Sequence, residues 1–522
     1  MDIKEHDILS KNLLKSLETD ENTQLIQTHI STIILSGELV YKLKKPVNFG
    51  FLDYSTLDKR HKNCLEEVRL NEGFAPKLYL GVVPITGSIE NPRIDGKGRV
   101  LDYAVKMRRF AQSDQLDNIV EQDGLEIESM DYIAKVIARF HEESVPVDAA
   151  SDYGEPKRVI SPMLENFDLL QRVAAEHTLD TELSSIIAWT HKQFEKLKPQ
   201  LQRRKKEGFV RECHGDMHLH NMALHEGKLI LFDAIEFNTY LNHIDVISDL
   251  AFLLMDLEYR GLICHSRRLL NHYLELTGDY EAVALLDFYK TYRAMVRAKV
   301  AALRVAQEME PDGHRAVMDE VIGYIDLALS YTEEKEVFLA ITHGFSGSGK
   351  STSALMMVEQ YGVLRIRSDV ERIRMFERRG EDVLEEGIYT SDATKATYKR
   401  LLELAISVYE GGYPVIVDAT FLMRWQRRLF WELSSEVEVP FLIFDLQCDT
   451  KIMRNRIEER SGTGIDISEA DLDVLEKQMQ TAEPLSNKEM EICFVVDCTS
   501  MESIKRSIGA HPVLTGTLYC QL

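Results

Sequence analysis

The chain has few cysteines, and none of them are arranged in pairs. Its seven cysteines are odd in number, are scattered over 522 residues and form no C-x-x-C motif. Disulfide frameworks and zinc sites need paired or clustered cysteines. The pattern therefore argues against both, and reduced thiols in a cytoplasmic protein are expected.

Long apolar runs are also absent. No apolar segment approaches the roughly 18 residues that cross a bilayer. The segment MDIKEHDILSKNLLK is charged and lacks the apolar stretch of a secretory signal. We therefore expect no membrane partner.

Positive charge is in short supply. Lys and Arg number 62 against 85 Asp and Glu, which gives a net charge of −23. This balance argues against non-specific nucleic-acid binding over the whole surface, although it leaves a local basic groove open. With 44% apolar residues and no internal repeat, the chain is typical of a globular protein.

A glycine loop lies between a predicted strand and a predicted helix in the second half of the chain. The segment GFSGSGKS at 344–351 satisfies the Walker A pattern G-x-x-x-x-G-K-[ST]. Its glycines let backbone N–H groups turn toward phosphates, its lysine reaches the β- and γ-phosphates, and its serine hydroxyl ligates Mg²⁺. The residues expected to bind ATP are Gly344, Ser346, Gly347, Ser348, Gly349, Lys350, Ser351 (also a Mg²⁺ ligand) and Thr352.

Two carboxylates follow strands of the same predicted parallel sheet. Asp369 comes just after VLRIR, and Asp418 ends PVIVD. Because the carboxyl ends of such strands face the ligand crevice, Asp369 is a candidate base for an acceptor hydroxyl, with Arg372 on the same helical face. Asp418 is a candidate to hold Mg²⁺ through water. The plainer alternatives are a helix N-cap for Asp369 and an ordinary strand-end residue for Asp418.

Two arginines share one face of the predicted helix 450–460. Arg456 and Arg460 are four residues apart, and the SGTG that follows them suggests a mobile lid. Arginines in that place would neutralise charge on the transferred phosphoryl group. The alternative is a solvated helix with salt bridges to neighbouring glutamates.

A second signature lies in the first half of the chain. HGDMHLHN at 214–221 places His214, Asp216 and Asn221 in H-x-D-x-x-x-x-N spacing. In phosphoryl transfer such an Asp orients or deprotonates the acceptor hydroxyl, and the Asn binds Mg²⁺. Asp233, at the end of KLILFD, suits the second Mg²⁺-binding carboxylate.

The same segment allows two other interpretations. His214, His218 and His220 could form a zinc site, although no cysteine or distant histidine pair completes it. The loop could also be a set of polar residues that only satisfy one another.

These two signatures each carry a resemblance. Residues 335–510 resemble the gluconate kinase, polynucleotide 5′-kinase and zeta-toxin group of P-loop proteins. The HGDMHLHN segment resembles the aminoglycoside phosphotransferase and choline kinase superfamily, which shares the protein-kinase fold.

The second resemblance implies further site residues upstream. VYKLKK offers Lys42 and Lys44 for the α- and β-phosphates, and because both share one strand face the sequence does not choose between them. Glu67 is the expected ion-pair partner, with Glu66 as the close alternative. No glycine-rich phosphate loop is recognisable in this half.

Over nearly its full length the chain resembles bacterial two-domain proteins that fuse an aminoglycoside-phosphotransferase-like domain to an ATP-binding P-loop domain. FLDYSTLDKR, NEGFAPKLYLGVVPI, HGDMHLHN and the Walker A loop come in the expected order. The implied fold class is an α+β protein-kinase-like two-lobed domain followed by an α/β P-loop domain with a parallel sheet. The implied boundaries are 1–332, with a small lobe at about 25–112 and a large lobe at about 113–332, and then 333–522.

The expected function is that of a cytoplasmic, bifunctional kinase that uses ATP and Mg²⁺ at two sites. Its partners would be ATP and a small-molecule or nucleotide hydroxyl acceptor, while the acceptor and the oligomeric state are not readable. One alternative is a nucleotide-sensing regulatory protein. The other is a toxin-like or nucleic-acid 5′-kinase second half, for which Arg365, Arg367, Arg372 and Arg374 form a basic strip.

Overall fold

The chain folds into two compact units. The computed structural model describes residues 1–17, 23–50, 52–122, 124–176, 179–305, 311–377, 390–461 and 471–509. The first unit comprises 1–126, 139–178 and 191–256, and the second comprises 127–138, 179–190 and 257–522. Residues 257–332 thus group with the P-loop segment, while the predicted domain boundary at 333 stays a prediction.

The first half of the chain combines short strands with long helices. In chain order its elements are α1 (Ile3–Leu17), β1 (Gln24–Gln27), β2 (Ser31–Ser36), β3 (Leu39–Lys44), α2 (Leu57–Glu72), β4 (Tyr79–Gly87), β5 (Pro92–Ile94), β6 (Val100–Arg108), α3 (Leu116–Gln122), α4 (Ser129–Glu143), α5 (Pro156–Glu176), α6 (Asp180–Lys206), β7 (Val210–Glu212), β8 (Met222–His225), β9 (Lys228–Leu231), α7 (Thr239–Asn242), β10 (His243–Asp245) and α8 (Val246–Tyr259).

An antiparallel sheet of six strands, in the order β1–β2–β3–β6–β4–β5, organises the start of the first unit. Strands β2 and β3 form a hairpin, and Gly37 at its turn has a φ of +54°. Alternation along β3 places Tyr41 and Leu43 in a core with residues of α1. Lys42 and Lys44 consequently share the opposite face of β3.

The N-terminal helix is shorter than its sequence pattern predicts. A helix over 8–27 is expected, but α1 ends at Leu17 and Gln24–Gln27 forms β1. Each residue of β1 pairs with β2, from Gln24 opposite Leu35 to Gln27 opposite Thr32. The strand ladder therefore overrides the local helical spacing here.

Helix α2 carries the glutamate that faces the lysines of β3. The Thr56 side chain caps the helix by accepting a hydrogen bond from the Lys59 N–H at 3.3 Å. Cys64, Glu67 and Leu70 are buried at helical spacing and define the face packed on the sheet.

The HGDMHLHN segment lies between two small strand pairs. Strand β7 pairs with β10, and β8 pairs with β9. Gly215 has a φ of +83°, and a Cβ there would lie 2.8 Å from the Leu241 carbonyl oxygen. A glycine is thus needed between His214 and Asp216.

The second half of the chain alternates helices and strands after an initial helical stretch. Its elements are α9 (Ile263–Thr277), α10 (Val283–Val305), α11 (Pro311–Ser330), β11 (Leu339–His343), α12 (Lys350–Tyr361), β12 (Leu364–Arg367), α13 (Ser368–Glu377), α14 (Ser391–Glu410), β13 (Val415–Asp418), α15 (Arg424–Glu436), β14 (Phe441–Gln447), α16 (Thr450–Ser461), α17 (Leu472–Thr481), α18 (Asn487–Met490), β15 (Cys493–Asp497) and α19 (Met501–Gly509).

A parallel sheet of five strands forms the centre of the second unit. Its order is β12–β13–β11–β14–β15, so the strand that precedes the glycine loop lies in the middle. All four residues of β13 are buried, as expected for a parallel strand covered on both faces. The predicted α/β arrangement with a parallel sheet is confirmed. None of the helices in the described part of the chain has the length and apolarity to cross a membrane.

Candidate active sites

A cluster of buried charges connects β3 to α2 in the first unit. Lys42 Nζ donates to Glu67 Oε1 at 2.9 Å, and Lys44 Nζ donates to Glu67 Oε2 at 2.7 Å. Glu67 is fully buried, whereas Glu66 bonds Arg69 Nη2 at 2.6 Å near the surface. In the structure Glu67, and not Glu66, is the partner of both lysines.

The two lysines differ in their further partners. Lys42 Nζ also bonds Asp233 Oδ1, and the Asp233 side chain is 45% exposed. Lys44 is 1% exposed and bonds Glu236 Oε1, which also accepts from the Tyr54 hydroxyl. Lys42 is thus the lysine connected to the solvent-accessible carboxylate.

Glu236 is a residue of this cluster that no sequence motif predicts. It lies three positions after Asp233, outside the H-x-D-x-x-x-x-N pattern, and only the fold brings it to Lys44. In the sequence its signal is only an acidic residue in DAIEF, at a spacing that matches neither phosphate-handling motif.

Burial and the neighbouring charges together shift the pKa values of Glu67 and Glu236. Burial alone would raise the pKa of Glu67, but Lys42 and Lys44 outweigh it and lower this pKa to about 2. Burial raises the pKa of Glu236, and Glu67 adds to that rise against the attraction of Lys44. Two lysines thus face three carboxylates, counting Asp233, and the excess of negative charge suits a divalent cation.

The HGDMHLHN segment places Asp216 and Asn221 side by side. Asn221 Nδ2 donates to Asp216 Oδ2 and to the Asp216 carbonyl oxygen, both at 3.0 Å. Asp249, in α8, accepts from the His214 N–H and the Gly215 N–H, both at 2.9 Å. These two bonds hold the start of the loop in place.

Asp233 follows β9 in a backbone conformation that is rare for aspartate. Its φ is +63°, and its N–H donates to the Tyr79 hydroxyl at 3.1 Å. The next N–H, of Ala234, donates to Asn71 Oδ1 at 3.0 Å. Two hydrogen bonds therefore fix the chain where the carboxylate meets Lys42, and such strain is often found at functional sites.

The histidines of the loop do not converge on one point. His214 Nε2 bonds the Phe232 carbonyl at 2.9 Å, His218 Nε2 lies 3.3 Å from Asp216 Oδ2, and His220 Nδ1 bonds Asp117 at 2.7 Å. Burial lowers the pKa of His214, so a neutral imidazole is favoured. The structure does not support the zinc interpretation at these three residues.

In the second unit the glycine loop wraps the start of α12. Gly347 and Gly349 have φ values of +77° and +97°, and a Cβ on Gly347 would lie 2.7 Å from the Met453 carbonyl oxygen. Lys350 Nζ donates to the Phe345 carbonyl at 2.7 Å, which folds the lysine back over its own loop. The Ser348 hydroxyl oxygen is buried with no hydrogen-bond partner among the described residues.

Asp369 and Asp418 come together near this loop. Burial and then the charge of Asp418 raise the pKa of Asp369, against the opposing effects of Arg367, Arg372 and Lys350. Asp418 is 5% exposed, and its Oδ2 atom has no hydrogen-bond partner within the described segments.

Asp369 does not occupy the N-cap position that the plainer interpretation gives it. It lies within α13, which begins at Ser368, so it is not the residue before the helix. Arg372 lies one turn further along the same helix. Asp418 Oδ2, which is buried and has no hydrogen-bond partner among the described residues, is an atom that could accept a bond from a ligand, because buried polar atoms are normally satisfied.

The structure shows the contacts of one of the two predicted lid arginines, Arg456, and does not describe the side chain of the other, Arg460. Arg456 donates to the Cys498 carbonyl at 2.8 Å and to the Gly347 carbonyl at 3.4 Å, so it contacts the Walker A loop directly. Arg460 lies in α16, but its side chain and the remainder of the SGTG segment after Ser461 lie outside the described residues. Their role in phosphoryl transfer stays a prediction.

Gln478 contacts the Walker A loop without any sequence signal. Its Oε1 accepts from the Ser346 N–H at 2.9 Å, and its Nε2 donates to the Ser346 hydroxyl at 3.0 Å. It comes from α17, more than a hundred residues away in the chain. No motif could have predicted this contact.

The four arginines of 365–374 do not form an exposed strip. Arg365 is 6% exposed and pairs with Glu275 at 2.8 Å, and Arg374 bonds the Glu275 carbonyl. The basic surface predicted for nucleic-acid binding is therefore wrong at these two positions.

Comparison with known proteins finds one family model, curated relatives and solved structures of low similarity. The family model described as an AAA domain matches residues 339–485. A choline kinase from Cryptosporidium parvum is 10% identical, with a TM-score of 0.37, and covers 62% of this chain and 93% of its own. A gluconokinase from Sinorhizobium meliloti is 20% identical, with a TM-score of 0.25, and covers 34% and 92%. Because both TM-scores are low, the fold assignment rests on the sheets and loops described above.

The predicted architecture is a protein-kinase-like domain followed by a P-loop domain. It is confirmed by the bond between Lys42 and Glu67, by the two sheets and by the AAA-domain match. The Mycobacterium tuberculosis protein Rv2004c is 30% identical over 445 residues, which are 84% of this chain and 86% of the relative. A Mycobacterium bovis protein aligns with the same figures. The chain belongs to the family of these mycobacterial proteins.

Proposed function

We propose that the chain is a bifunctional phosphotransferase, in which each of two sites transfers the γ-phosphate of ATP to a hydroxyl group. The observation that carries this proposal is that each unit holds its own set of phosphate-handling groups. Lys42 joins Glu67 and Asp233 in the first unit, and Lys350 follows the glycine loop in the second. We place the protein in the cytoplasm, because every cysteine in the described part of the chain is free.

At the first site Asp216 is the proposed acceptor base. It would take or orient the proton of the acceptor hydroxyl while that oxygen bonds to the γ-phosphorus and the bond to the bridging oxygen of ADP breaks. Lys42 would hold the α- and β-phosphates, and Glu67 fixes its ammonium. Lys44, which is buried and bonded to Glu236, would support Glu67 from behind.

At the second site Asp369 is the proposed base. Its raised pKa makes it a stronger proton acceptor than an exposed aspartate, since proton affinity rises with pKa. The N–H groups of the glycine loop and the start of α12 would bind the phosphates. On contact with a nucleotide, Lys350 would exchange the Phe345 carbonyl for phosphate oxygens.

The residues present fit Mg²⁺ at both sites. Asn221 and Asp233 would hold it in the first unit, and Ser351 and Asp418 in the second. Such an ion would bind Asp418 Oδ2, which has no hydrogen-bond partner among the residues described, and the carboxylates around Lys42. Mg²⁺ would neutralise charge that develops on the phosphoryl group.

The test is transfer of labelled γ-phosphate from Mg-ATP into fractionated metabolites. Wild type, Asp216→Asn, Lys350→Ala and the double variant are compared side by side. Two labelled products, each lost in a different single variant, are expected. ATP binding without labelling of any fraction would contradict the proposal and favour a nucleotide-sensing regulatory protein.

A further inference from the structure

Two cysteines lie side by side at the carboxyl edge of the parallel sheet in the second unit. Cys448 directly follows β14, and Cys498 directly follows β15. The last paired residues of these neighbouring strands are Gln447 and Asp497, one position before each cysteine. The Cys498 N–H also donates to the Gln447 carbonyl at 2.9 Å, so the strand pairing continues to the cysteines.

This pairing brings the two backbones close enough for a disulfide. Paired strands lie about 4.8 Å apart, and the Cα atoms of a disulfide lie about 4.4–6.8 Å apart. Because both cysteines follow paired residues, their side chains point to the same face of the sheet. Both contribute to the core that contains Phe444 and Val496, and the Cys448 thiol donates to the Cys498 carbonyl at 3.5 Å. The two thiols are therefore neighbours.

The two thiols differ in their access to solvent. Cys448 is partly exposed, whereas Cys498 is buried. Burial raises the pKa of both thiols, to about 11 for Cys498, and the charge of Arg456 opposes this rise at each of them. Arg456 Nη1 donates to the Cys448 sulfur at 3.6 Å. An oxidant in solution thus reaches Cys448 first, and we expect slow reaction at neutral pH because the thiolate is the reactive form.

The cysteines also contact the Walker A loop and the helix that follows it. Ser353 Oγ, in α12, lies 3.7 Å from Cys498 Sγ. A Cβ atom on Gly349 would lie 3.4 Å from the Cys498 Cβ atom, so loop and cysteine pack closely. Arg456 donates to the Gly347 carbonyl at 3.4 Å and to the Cys498 carbonyl at 2.8 Å. A change in the bonding of either sulfur therefore alters the packing behind the loop.

We propose that Cys448 and Cys498 form a reversible disulfide when a peroxide oxidises the protein, and that this bond weakens nucleotide binding at the Walker A loop. Formation of the disulfide does not depend on the proposed function, whereas its effect rests on the nucleotide site of that proposal. A reversible disulfide of this kind is compatible with a reducing compartment, where such bonds are transient.

The chemistry needs only the two thiols and the peroxide. The Cys448 thiolate attacks one peroxide oxygen, the O–O bond breaks, and the hydroxide that leaves takes up the thiol proton to give water. The Cys498 sulfur then attacks the resulting sulfenic acid, whose hydroxyl leaves as the second water. Two thiols and one hydrogen peroxide thus give one disulfide and two molecules of water. A dithiol reductant reverses the step by thiol–disulfide exchange.

The first test maps cysteine pairing in the full-length protein. Dilute protein is treated with hydrogen peroxide, the remaining thiols are blocked with N-ethylmaleimide, and the digest is analysed by mass spectrometry. We expect a peptide pair joined through Cys448 and Cys498, absent before oxidation and lost again in dithiothreitol. Cys448→Ser should abolish this pair. Cys493→Ser, at a partly exposed cysteine of β15, is the matched control and should leave it unchanged.

Two results of the peptide map would overturn the proposal. One is recovery of both cysteines as maleimide adducts or as sulfinic acids after peroxide treatment. The other is pairing of either cysteine with a different cysteine of the chain. The wild-type map suffices for both results, so the test does not depend on the folding of a variant.

The second test measures the effect on nucleotide binding without any turnover. Mg-ADP should bind the Walker A loop of the oxidised protein roughly tenfold more weakly in calorimetric titration. Because such coupling is reciprocal, saturating Mg-ADP should raise the midpoint potential of the cysteine pair by about 30 mV. Lys350→Ala should abolish this rise, whereas Lys488→Ala, at an exposed lysine of α18, should preserve it.

The outcomes separate the two parts of the proposal. A disulfide that forms without changing Mg-ADP affinity, or a potential shift that persists in Lys350→Ala, would overturn the coupling to the Walker A loop. Absence of Mg-ADP binding to the reduced protein would overturn that coupling together with the proposed nucleotide site. The peptide map is independent of both, so failure of the disulfide is distinct from failure of the phosphotransferase proposal.

Discussion

The two candidate sites hold charge in opposite ways. In the first unit Lys42 and Lys44 are already neutralised by Glu67, Asp233 and Glu236. In the second unit Lys350 donates to a backbone carbonyl, and a buried oxygen of Asp418 has no hydrogen-bond partner in the part of the chain that the structure describes. The first candidate site is held by ion pairs between side chains, whereas the second is built from a glycine loop and the start of a helix. Disrupting each should therefore have different consequences for stability and for activity.

The largest expected effect is selective loss of activity. Asp216→Asn should lower the first transfer roughly 10²–10⁴-fold, since a positioned base is removed. Lys350→Ala should lower the second transfer by roughly 10²–10³-fold through lost charge stabilisation. Product-resolved transfer assays measure both. The exposed changes Asp148→Asn and Lys488→Ala are the matched controls. Loss of both products in either single variant would contradict two independent sites.

The next effect should be on the stability of the first unit. Glu67→Ala leaves two buried ammonium groups without their shared carboxylate, and we expect a loss of about 3–5 kcal/mol in the free energy of unfolding. Urea unfolding measures it. Glu66→Ala, one residue away and near the surface, should cost only about 0.5 kcal/mol. Equal costs for the two changes would show that the buried cluster is not what holds this unit together.

Replacing each lysine by methionine would distinguish their roles. Lys42→Met should reduce the first transfer by roughly 10²-fold and raise KM for ATP, because this ammonium lies next to the solvent-accessible Asp233. Lys44→Met should mainly reduce stability, by about 1–3 kcal/mol, since Glu236 loses a buried partner. Steady-state kinetics and urea unfolding together make the test. The reverse pattern would assign the nucleotide contact to Lys44.

The smallest expected effect is a pH shift in the second transfer. Because burial and Asp418 raise the pKa of Asp369, its carboxylate form is lost as pH falls through that raised value, and activity falls with it. Arg367→Gln removes a positive neighbour that lowers this pKa, so the acidic limb should move to higher pH. The pH profile at saturating acceptor measures it, and the first transfer serves as the internal control. A shift in the opposite direction would exclude Asp369 as the base.

The sequence motifs predict the candidate catalytic and phosphate-binding residues, but not the residues from distant segments that contact them. The Walker A pattern and the H-x-D-x-x-x-x-N spacing are local in sequence, so the residues they name could be predicted directly. The strand alternation placed Lys42 and Lys44 on one face, as the structure has them, yet it could not choose between them because their partners come from distant segments. Glu236 and Gln478 were missed for the same reason. Likewise, β1 was mistaken for helix because only its pairing with β2 makes it a strand.

The buried ion pair between Glu275 and Arg365 limits where the gene for such a protein could be divided. A split at residue 333 would separate the P-loop segment from Glu275. This carboxylate neutralises the guanidinium of Arg365, a residue that is only 6% exposed in the folded protein. A buried arginine without its carboxylate partner lowers the free energy of unfolding by several kcal/mol, which is comparable to the whole stability of a small domain. Fission of the gene at this boundary would therefore need a compensating substitution at position 365. The fusion of the two coding segments would in this way be hard for evolution to reverse.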